Sequence, residues 1–219
     1  MSDTDTPGTR YRLVAAASRL FAAQGVDTVS LREIGREAGA RNATALQYHF
    51  GDRAGLVRAV LAPHHHAVEI ARHALLDAEE ARGRLGLDAL ASTLVRPLAA
   101  RLADPPGGPE HLQIVADLVN RPRPAISPAS LEDPADSMYR WRALAAEVIA
   151  PEAVALHRRF AAYRFTVGEL AQRARTGPHR GDRLFTSDLV DLVTALLGAP
   201  VSEATAALRA SRRPRRAGG

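Results

Sequence analysis

The chain has 219 residues and no cysteine, which excludes disulfides, thiolate metal sites and cysteine nucleophiles. Hydrophobic residues make up 46% and charged residues 24% of it, ordinary values for a globular protein. A mean hydropathy of −0.15 and the lack of a long uncharged apolar run argue against a membrane-spanning helix. Residues 1–9 are polar and acidic, so no secretory signal is expected and the sequence predicts a cytoplasmic protein.

Charge is distributed unevenly along the chain. The formal net charge is +5, and residues 1–56 contribute seven arginines against six acids. Residues 57–201 hold seventeen arginines and seventeen acids, whereas residues 202–219 hold five arginines and one acid. Most of the positive excess therefore lies in the tail, where a solvated, disordered end is favoured over a nucleic-acid contact. Net charge alone is weak evidence for nucleic-acid binding.

Helical periodicity dominates, and the recurrence of Ala and Leu predicts nine or ten helices with no convincing strand. Stretches rich in Pro and Gly separate the helices, because these residues stop them. A bend is expected at Pro63 in the long fourth helix. The predicted helices are 9–24, 30–38, 42–48, 52–82, 87–103, 109–119, 135–149, 151–175, 187–197 and a short one at 202–210.

Residues 30–42 carry clear helix-boundary signals. Ser30 and Glu33 have the spacing of a capping box at the start of a helix. Gly39 stands where a left-handed residue would end that helix, and Asn42 is a second good N-cap a short turn later. Two short helices joined by a tight turn are typical of the helix-turn-helix unit, whose second helix enters the major groove of DNA.

The third predicted helix has side chains suited to contact DNA. Thr44 and Gln47 are polar and project away from its apolar side, and a glutamine amide can bind adenine through two hydrogen bonds. Tyr48, His49 and Arg53 cluster at its far end, where a phenol, an imidazole and a guanidinium suit phosphate contacts.

The segment SLREIGREAG at 30–39, followed by QYHFGDRAGL at 47–56, resembles the DNA-binding segment of TetR-family transcriptional regulators. The resemblance covers about residues 10–60, and the Tyr-His-Phe-Gly-x-Arg signature at 48–53 is its strongest part. It implies an all-α homodimer with an N-terminal three-helix DNA-binding domain. It also implies a C-terminal helical bundle that dimerises and holds a small-molecule effector.

Carried over by position, the resemblance assigns two sets of residues. Gln47 stands where the family usually has tyrosine, so its base-reading role rests on its amide chemistry. The turn at 39–42 is one residue longer than the commonest form in the family. The implied base contacts are Arg32, Asn42, Thr44 and Gln47, and the implied phosphate contacts are Ser30, Tyr48, His49 and Arg53.

The resulting division places a DNA-binding domain at 9–56, a ligand-binding and dimerisation domain at 57–200, and a tail at 201–219. The resemblance implies that the helices predicted at 151–175 and 187–197 pair between two subunits as a four-helix bundle. Six residues of the latter are interpreted as too apolar for a monomer surface: Leu189, Val190, Leu192, Val193, Leu196 and Leu197.

The fourth helix carries histidines with three possible interpretations. His66, Glu69 and His73 would share one face, which is a plausible three-ligand metal arrangement. No further ligand is identifiable, so we predict no metal; neutral exposed histidines or an effector-binding role are the alternatives. The candidate effector pocket comprises His66, His73, Trp141 and Tyr163, although aromatics at helical spacing are more often core.

The sequence therefore predicts a ligand-responsive repressor that binds a palindromic operator in double-stranded DNA as a homodimer, without a cofactor. An effector would act by changing the separation of the two recognition helices. An enzyme is disfavoured, because no nucleophile elbow, phosphate loop or paired-His metal motif is present. A DNA-binding protein that acts by occupancy alone, with no effector, is the remaining alternative.

Overall fold

The structure is a computed structural model that describes residues 7–40, 44–83, 85–104, 106–122 and 133–211. These ranges contain α-helices and one 3-10 turn at Ala100–Ala103, and no strand occurs in them, as the sequence predicts. The α-helices are α1 (Pro7–Gln24), α2 (Leu31–Glu37), α3 (Ala45–Phe50), α4 (Arg53–Ala81), α5 (Leu87–Ala99), α6 (Gly108–Val119), α7 (Ser137–Val148), α8 (Pro151–Ala155), α9 (Arg158–Thr176), α10 (Arg183–Gly198) and α11 (Glu203–Ser211).

Some helix boundaries differ from those predicted. The helix expected at 151–175 is broken at His157, whose φ of 57° is left-handed and interrupts the helical path. Histidine is not a helix breaker, so the sequence carried no signal for this break. Helix α10 begins at Arg183, four residues before its predicted start. Helix α4 continues through Pro63 as predicted, and the bend expected there stays a prediction. The arginine-rich end predicted to be disordered, 212–219, lies outside the described residues.

The buried apolar residues form two clusters. The N-terminal cluster gathers residues from α1, α2, α3 and the start of α4, with Leu13, Phe21 and Leu56 among its fully buried members. It also includes Ile114 and Leu118 of α6. The second, larger cluster joins α4 through α10 and contains other residues of the same α6. Helix α6 therefore contributes to both cores.

The apolar side of α10 packs mainly within its own chain. Leu189, Val190, Val193 and Leu197 are all buried in the larger cluster. The expectation that these residues form an excess of apolar surface is therefore wrong for these four. Leu192 is 47% exposed. Along the same helix Leu184, which no sequence pattern distinguishes, is 85% exposed.

In the described part of the chain, we find no single helix that combines the length and the apolar character needed to cross a membrane. Helices α10 and α11 meet these criteria only when they are taken together across a bend of 54°.

Helix α2 ends in two backbone hydrogen bonds that require a left-handed residue. The amide of Ala40 donates to the carbonyl oxygen of Gly35 at 2.9 Å, and the amide of Gly39 donates to the carbonyl oxygen of Arg36 at 3.1 Å. This is a Schellman motif, and Gly39 supplies its left-handed position with a φ of 64°. The sequence-based boundary at Gly39 is thus confirmed. It fixes the direction in which the chain leaves α2.

The start of α2 is capped in one direction. Ser30 Oγ accepts a hydrogen bond from the Glu33 amide at 3.1 Å, as predicted. The Glu33 carboxylate accepts from Gln24 Nε2 at 3.4 Å, and its return bond to the Ser30 amide is not formed in this region. The predicted capping box is therefore only half present.

Two glycine-to-alanine substitutions four residues apart should have opposite effects on stability. We expect Gly39→Ala to lower the free energy of unfolding by about 1 kcal/mol, because alanine is strained at positive φ. We expect Gly35→Ala to raise it by roughly 0.5–1 kcal/mol, because alanine favours the helix interior. The added methyl group at residue 35 would lie 4.0 Å from Leu46 Cδ1, an ordinary contact. Urea unfolding measures the free energy of unfolding of both variants. If both substitutions raised it, or both lowered it, the different backbone roles of the two glycines would be contradicted.

Candidate DNA interface and ligand cavity

Helix α3 has a buried side and an exposed side. Ala45 and Leu46 are buried in the N-terminal cluster, whereas Thr44, Gln47 and Tyr48 are exposed. Tyr48 is 66% exposed, a high value for a large aromatic side chain. Helix α3 thus offers hydroxyl, amide and phenol groups on one solvent-facing surface.

The predicted base contacts Arg32 and Asn42 and the predicted phosphate contact Ser30 are either exposed or outside the described ranges. Arg32 on α2 and Ser30 at its cap are both exposed. Asn42 falls outside the described residues, so its predicted roles as N-cap and base contact stay predictions. The described part of α3 begins at Ala45, with Thr44 in the cap position.

Arg53 and His49 point partly inward. Arg53 Nη1 donates to the backbone carbonyl of Val26 at 2.6 Å, and the side chain is half-buried. His49 is also half-buried, with its ring 5.1 Å from Tyr48 and 6.0 Å from Phe50. Arg53 therefore has an internal partner that the sequence did not reveal, and its phosphate contact stays a prediction.

The connection between α1 and α2 is also tied to α6. The amide of Val26 donates to Asp117 Oδ2 at 3.2 Å, so the backbone of this one residue contacts both α4 and α6. Arg121 extends the link, with Nη2 at 3.0 Å from Asp27 Oδ2 and 3.2 Å from Asp117 Oδ2. These ion pairs are partly exposed and contribute little to stability. They connect the segment between α1 and α2 to α6.

A cavity of about 660 Å³ lies between α4, α6, α7 and α9. This volume is within the range of sites for small organic ligands. Trp141 and Tyr163, two residues of the predicted effector pocket, both line it. Phe160 and Val115 add further apolar surface.

The other two predicted pocket residues, His66 and His73, are not among the residues that line this cavity. His66 is exposed, and His73 Nε2 lies 3.1 Å from the backbone carbonyl oxygen of Ala135. The buried side of α4 is set by Val68, Arg72 and Leu76. Since each residue turns the helix by about 100°, the histidine that this phase brings to the cavity is His65, one residue earlier.

The metal interpretation of His66, Glu69 and His73 is not supported, because these three residues do not come together as one donor group in the described ranges. Donor atoms of His65, Glu69 and Asp136 do come within 4.8 Å of one another. Both carboxylates, however, serve the start of α7. Glu69 accepts from the Ser137 amide at 2.7 Å and from its hydroxyl at 2.6 Å. Asp136 caps the helix by accepting from the Met138 amide at 2.7 Å.

Arg72 is a buried cation in the wall of the cavity. Nη1 donates to Ser137 Oγ at 2.8 Å and lies 3.5 Å from Glu69 Oε1. Burial lowers the pKa of Arg72, while the negative charge of Glu69 acts in the opposite direction. Burial also raises the pKa of Tyr163, which keeps its hydroxyl protonated and able to donate.

His111 is a second buried polar group in the wall. It is 4% exposed, and its Nδ1 has no hydrogen-bond partner among the described residues. Burial, followed by the nearby His64, His65 and Arg101, lowers the pKa of His111 to about 3. The imidazole is therefore neutral at physiological pH. Sequence reasoning did not single out His111, because a lone histidine within an apolar helix has no distinguishing pattern.

Together, an exposed short helix behind a tight turn and a three-helix core define a helix-turn-helix DNA-binding domain. Residues 13–60 match the family model described as "Bacterial regulatory proteins, tetR family". The resemblance found in the sequence is thereby confirmed over this segment, which is similar to the DNA-binding segment of TetR-family transcriptional regulators.

Proteins similar to this chain include two curated regulators and a solved structure. The HTH-type transcriptional regulator SrpR of Pseudomonas putida is 39% identical over 62 residues, which are 28% of this chain and 29% of that protein. The uncharacterized HTH-type transcriptional regulator TtgW, also of Pseudomonas putida, is 39% identical over 62 residues, which are 28% of this chain and 46% of that protein. Each match thus spans less than half of the relative.

The crystal structure of Mycobacterium smegmatis AmtR is similar over almost the whole length. It aligns with 98% of this chain and 99% of its own, with a TM-score of 0.52 and 20% identity. At this identity the likeness concerns the fold alone.

The buried neutral His111 should make stability depend on pH. The unfolded chain binds a proton at this residue near pH 6.5, whereas the folded chain does so only near pH 3. We therefore expect the stabilisation of the folded state by neutral His111 to be fully present above about pH 6.5. It should fall by up to about 1.4 kcal/mol per pH unit as the pH decreases toward 3.

Urea unfolding between pH 4.5 and 7.5 measures this dependence. His111→Gln should flatten the curve relative to the unmodified protein, and His66→Gln, at an exposed histidine of α4, should leave it unchanged. Equal slopes for the unmodified protein and His111→Gln would contradict the buried neutral state.

Proposed function

We propose that this protein is a ligand-responsive transcriptional repressor that binds a two-fold symmetric operator as a homodimer. The observation that carries the DNA-binding part is the exposed polar surface of α3, backed by buried Ala45 and Leu46. A short helix held in this way can enter the major groove, which reads sequence through hydrogen bonds to base edges.

Within this proposal, the side chains of the DNA-binding domain have separate tasks. Gln47 and Thr44 read bases from α3, with Arg32 contributing from α2 and Asn42 from the turn. Tyr48, Ser30, His49 and Arg53 contact phosphates at the edges of the groove, which fixes the position of the helix without reading sequence.

Dimerisation is proposed through α9 and α10. Leu184 and Leu192 lie two turns apart on α10 and are 85% and 47% exposed, which supports an apolar contact with a second copy. Two recognition helices must be about 34–36 Å apart to enter successive major grooves. The dimer would set this separation.

Induction is proposed to act through α6. One side of α6 holds the DNA-binding domain through Asp117 and Ile114, and another side carries His111 and Val115 into the cavity wall. A ligand that binds better when α6 is displaced would shift the DNA-binding domains away from the required separation. The decrease in DNA affinity can be no larger than the ratio of the ligand's affinities for the displaced and the DNA-binding arrangements of α6.

Regulation by DNA occupancy alone is the second candidate. The cavity favours the ligand-responsive form, because a mainly apolar space of about 660 Å³ has the size of a site for a small organic ligand. The comparisons point to transcription regulators, and no catalytic grouping emerges from the described residues, so an enzymatic role is not proposed.

Selection of duplex DNA from a random pool tests the proposed function. The purified protein should enrich a two-fold symmetric site whose half-sites are one helical turn apart. Enrichment of no sequence would contradict specific DNA binding. Enrichment of a single unrepeated half-site would contradict the dimer.

Gln47→Ala should change sequence preference. The substitution removes an amide that can form two hydrogen bonds to one base. We expect the binding free energy for the selected site to weaken by about 1–3 kcal/mol, and discrimination at one or two base positions to relax. Binding to a set of single-base variants measures this. Gln172→Ala, at an exposed residue of α9, is the matched control. An unchanged preference would remove Gln47 from the base-reading set.

Asp117→Ala should weaken binding without changing preference. It removes the acceptor of the Val26 amide, so the DNA-binding domain samples more orientations and more entropy is lost on binding. We expect affinity to fall several-fold and equally for all sequences, measured on the same set. Glu147→Ala, at an exposed acid of α7, should leave affinity unchanged. A loss confined to some bases would contradict an orienting role.

A further inference from the structure

We propose that the ligand of this cavity is an amphipathic organic anion, whose acidic group binds beside Arg159 and whose apolar body lies against Trp141 and Phe160. This inference rests on the proposed function, since it assigns a chemical class to the effector. It commits to an anion over a neutral or cationic molecule of the same size.

The walls of the cavity favour an apolar ligand body. Side chains from four helices, including Val68, Val115, Trp141 and Phe160, contribute carbon surface to it. Trp141 cannot turn its polar edge to a ligand, because its Nε1 already donates to the Leu90 carbonyl at 2.9 Å. Hydrocarbon or aromatic groups would gain from burial against this surface.

The negative charges of the cavity are already engaged. Glu69 receives two hydrogen bonds from Ser137 and is near the Arg72 guanidinium, and Asp136 receives amide hydrogen bonds from the first turn of α7. Each carboxylate thus already accepts hydrogen bonds from the protein itself. A cationic ligand would have to compete with these bonds, and so would a metal ion at His65.

Arg159 contributes a positive charge to the cavity wall. It is half-buried at the start of α9, where Nη1 donates to the Arg142 carbonyl oxygen at 2.5 Å. Burial lowers the pKa of Arg159, and the positive charge of Arg142 lowers it further. No carboxylate forms an ion pair with Arg159 in the described part of the chain. An anion here would relieve the repulsion between two arginines that both line the cavity.

Another cavity-wall arginine, Arg72, has a hydrogen-bond donor without an acceptor among the described residues. Arg72 is 2% exposed, and its Nε has no acceptor among the described residues. Buried donors without an acceptor are rare in folded proteins and are often completed by water or a ligand. An oxygen-bearing ligand would supply the missing acceptor, which a pure hydrocarbon would not.

Two fluorescent probes that differ by one acidic group test the proposal. The first is 8-anilinonaphthalene-1-sulfonate, and the second is N-phenyl-1-naphthylamine, which has the same aromatic rings without the sulfonate. The chain contains a single tryptophan, Trp141, which is 1% exposed and lines the cavity. Energy transfer from Trp141 therefore reports a probe bound near this residue, and the dependence on Arg159 decides whether that probe lies in the cavity.

We expect the sulfonate probe to bind one per chain, at least tenfold more tightly than the neutral probe, with energy transfer from Trp141. Arg159→Gln should weaken the sulfonate probe about tenfold or more and leave the neutral probe within about twofold. Arg159→Lys, which keeps the charge, should restore most of the affinity. Arg175→Gln, the same change at an exposed arginine of α9, should affect neither probe.

Each other result contradicts the assignment in a distinguishable way. If both probes bind equally and Arg159→Gln weakens neither, the preference for anions would be overturned. The cavity would then take neutral ligands, and the proposed function would remain valid. Binding of neither probe would overturn both the anion site and the ligand-responsive form. DNA selection, measured separately, would still decide whether the protein binds an operator. Retained binding of the neutral probe by Arg159→Gln shows that this variant is folded.

Discussion

The backbone of Val26 is held from two sides, and the arrangement of the DNA-binding domain depends on this contact. Arg53 of α4 binds its carbonyl and Asp117 of α6 binds its amide. Neither bond contributes much energy by itself. Together they fix the connection between α1 and α2 against the two helices that also line the cavity. The three-helix core that carries α3 is therefore bonded to two helices of the cavity wall, α4 and α6.

Helix α6, like α4, contributes to both cores. Ile114 and Leu118 are buried with the DNA-binding helices, and His111, Val115 and Leu118 border the cavity. A rigid helix with contacts on both sides cannot move at one side without a response at the other. This geometry is why the proposal couples ligand binding to DNA binding through α6 and α4.

The DNA-binding domain could be predicted from sequence because its signals are local. The Ser30 cap, the Gly39 turn and the signature ending at Arg53 each lie within a few residues, and they agree with one another. The side chain of Arg53 is the exception. Its bond to Val26 joins residues 27 positions apart, which no local pattern encodes.

The cavity could be predicted only in part, because its lining depends on how distant helices pack. Trp141 and Tyr163 line it, but the phase of α4 selects His65 rather than His66, a difference of one residue. Likewise, Leu189, Val190, Val193 and Leu197 of α10 fill the chain's own core instead of forming surplus surface. Periodicity defines an apolar face, and the partner of that face is decided by the whole fold.

The separation of the two recognition domains in solution is the most direct test of the proposed coupling. Since the chain has no cysteine, Arg36→Cys at an exposed position of α2 gives one spin label per subunit. Pulsed electron paramagnetic resonance should give one dominant distance between subunits on the selected DNA. Adding the sulfonate probe should shift that distance as DNA is released. An unchanged distance with the cavity occupied would contradict the coupling through α6.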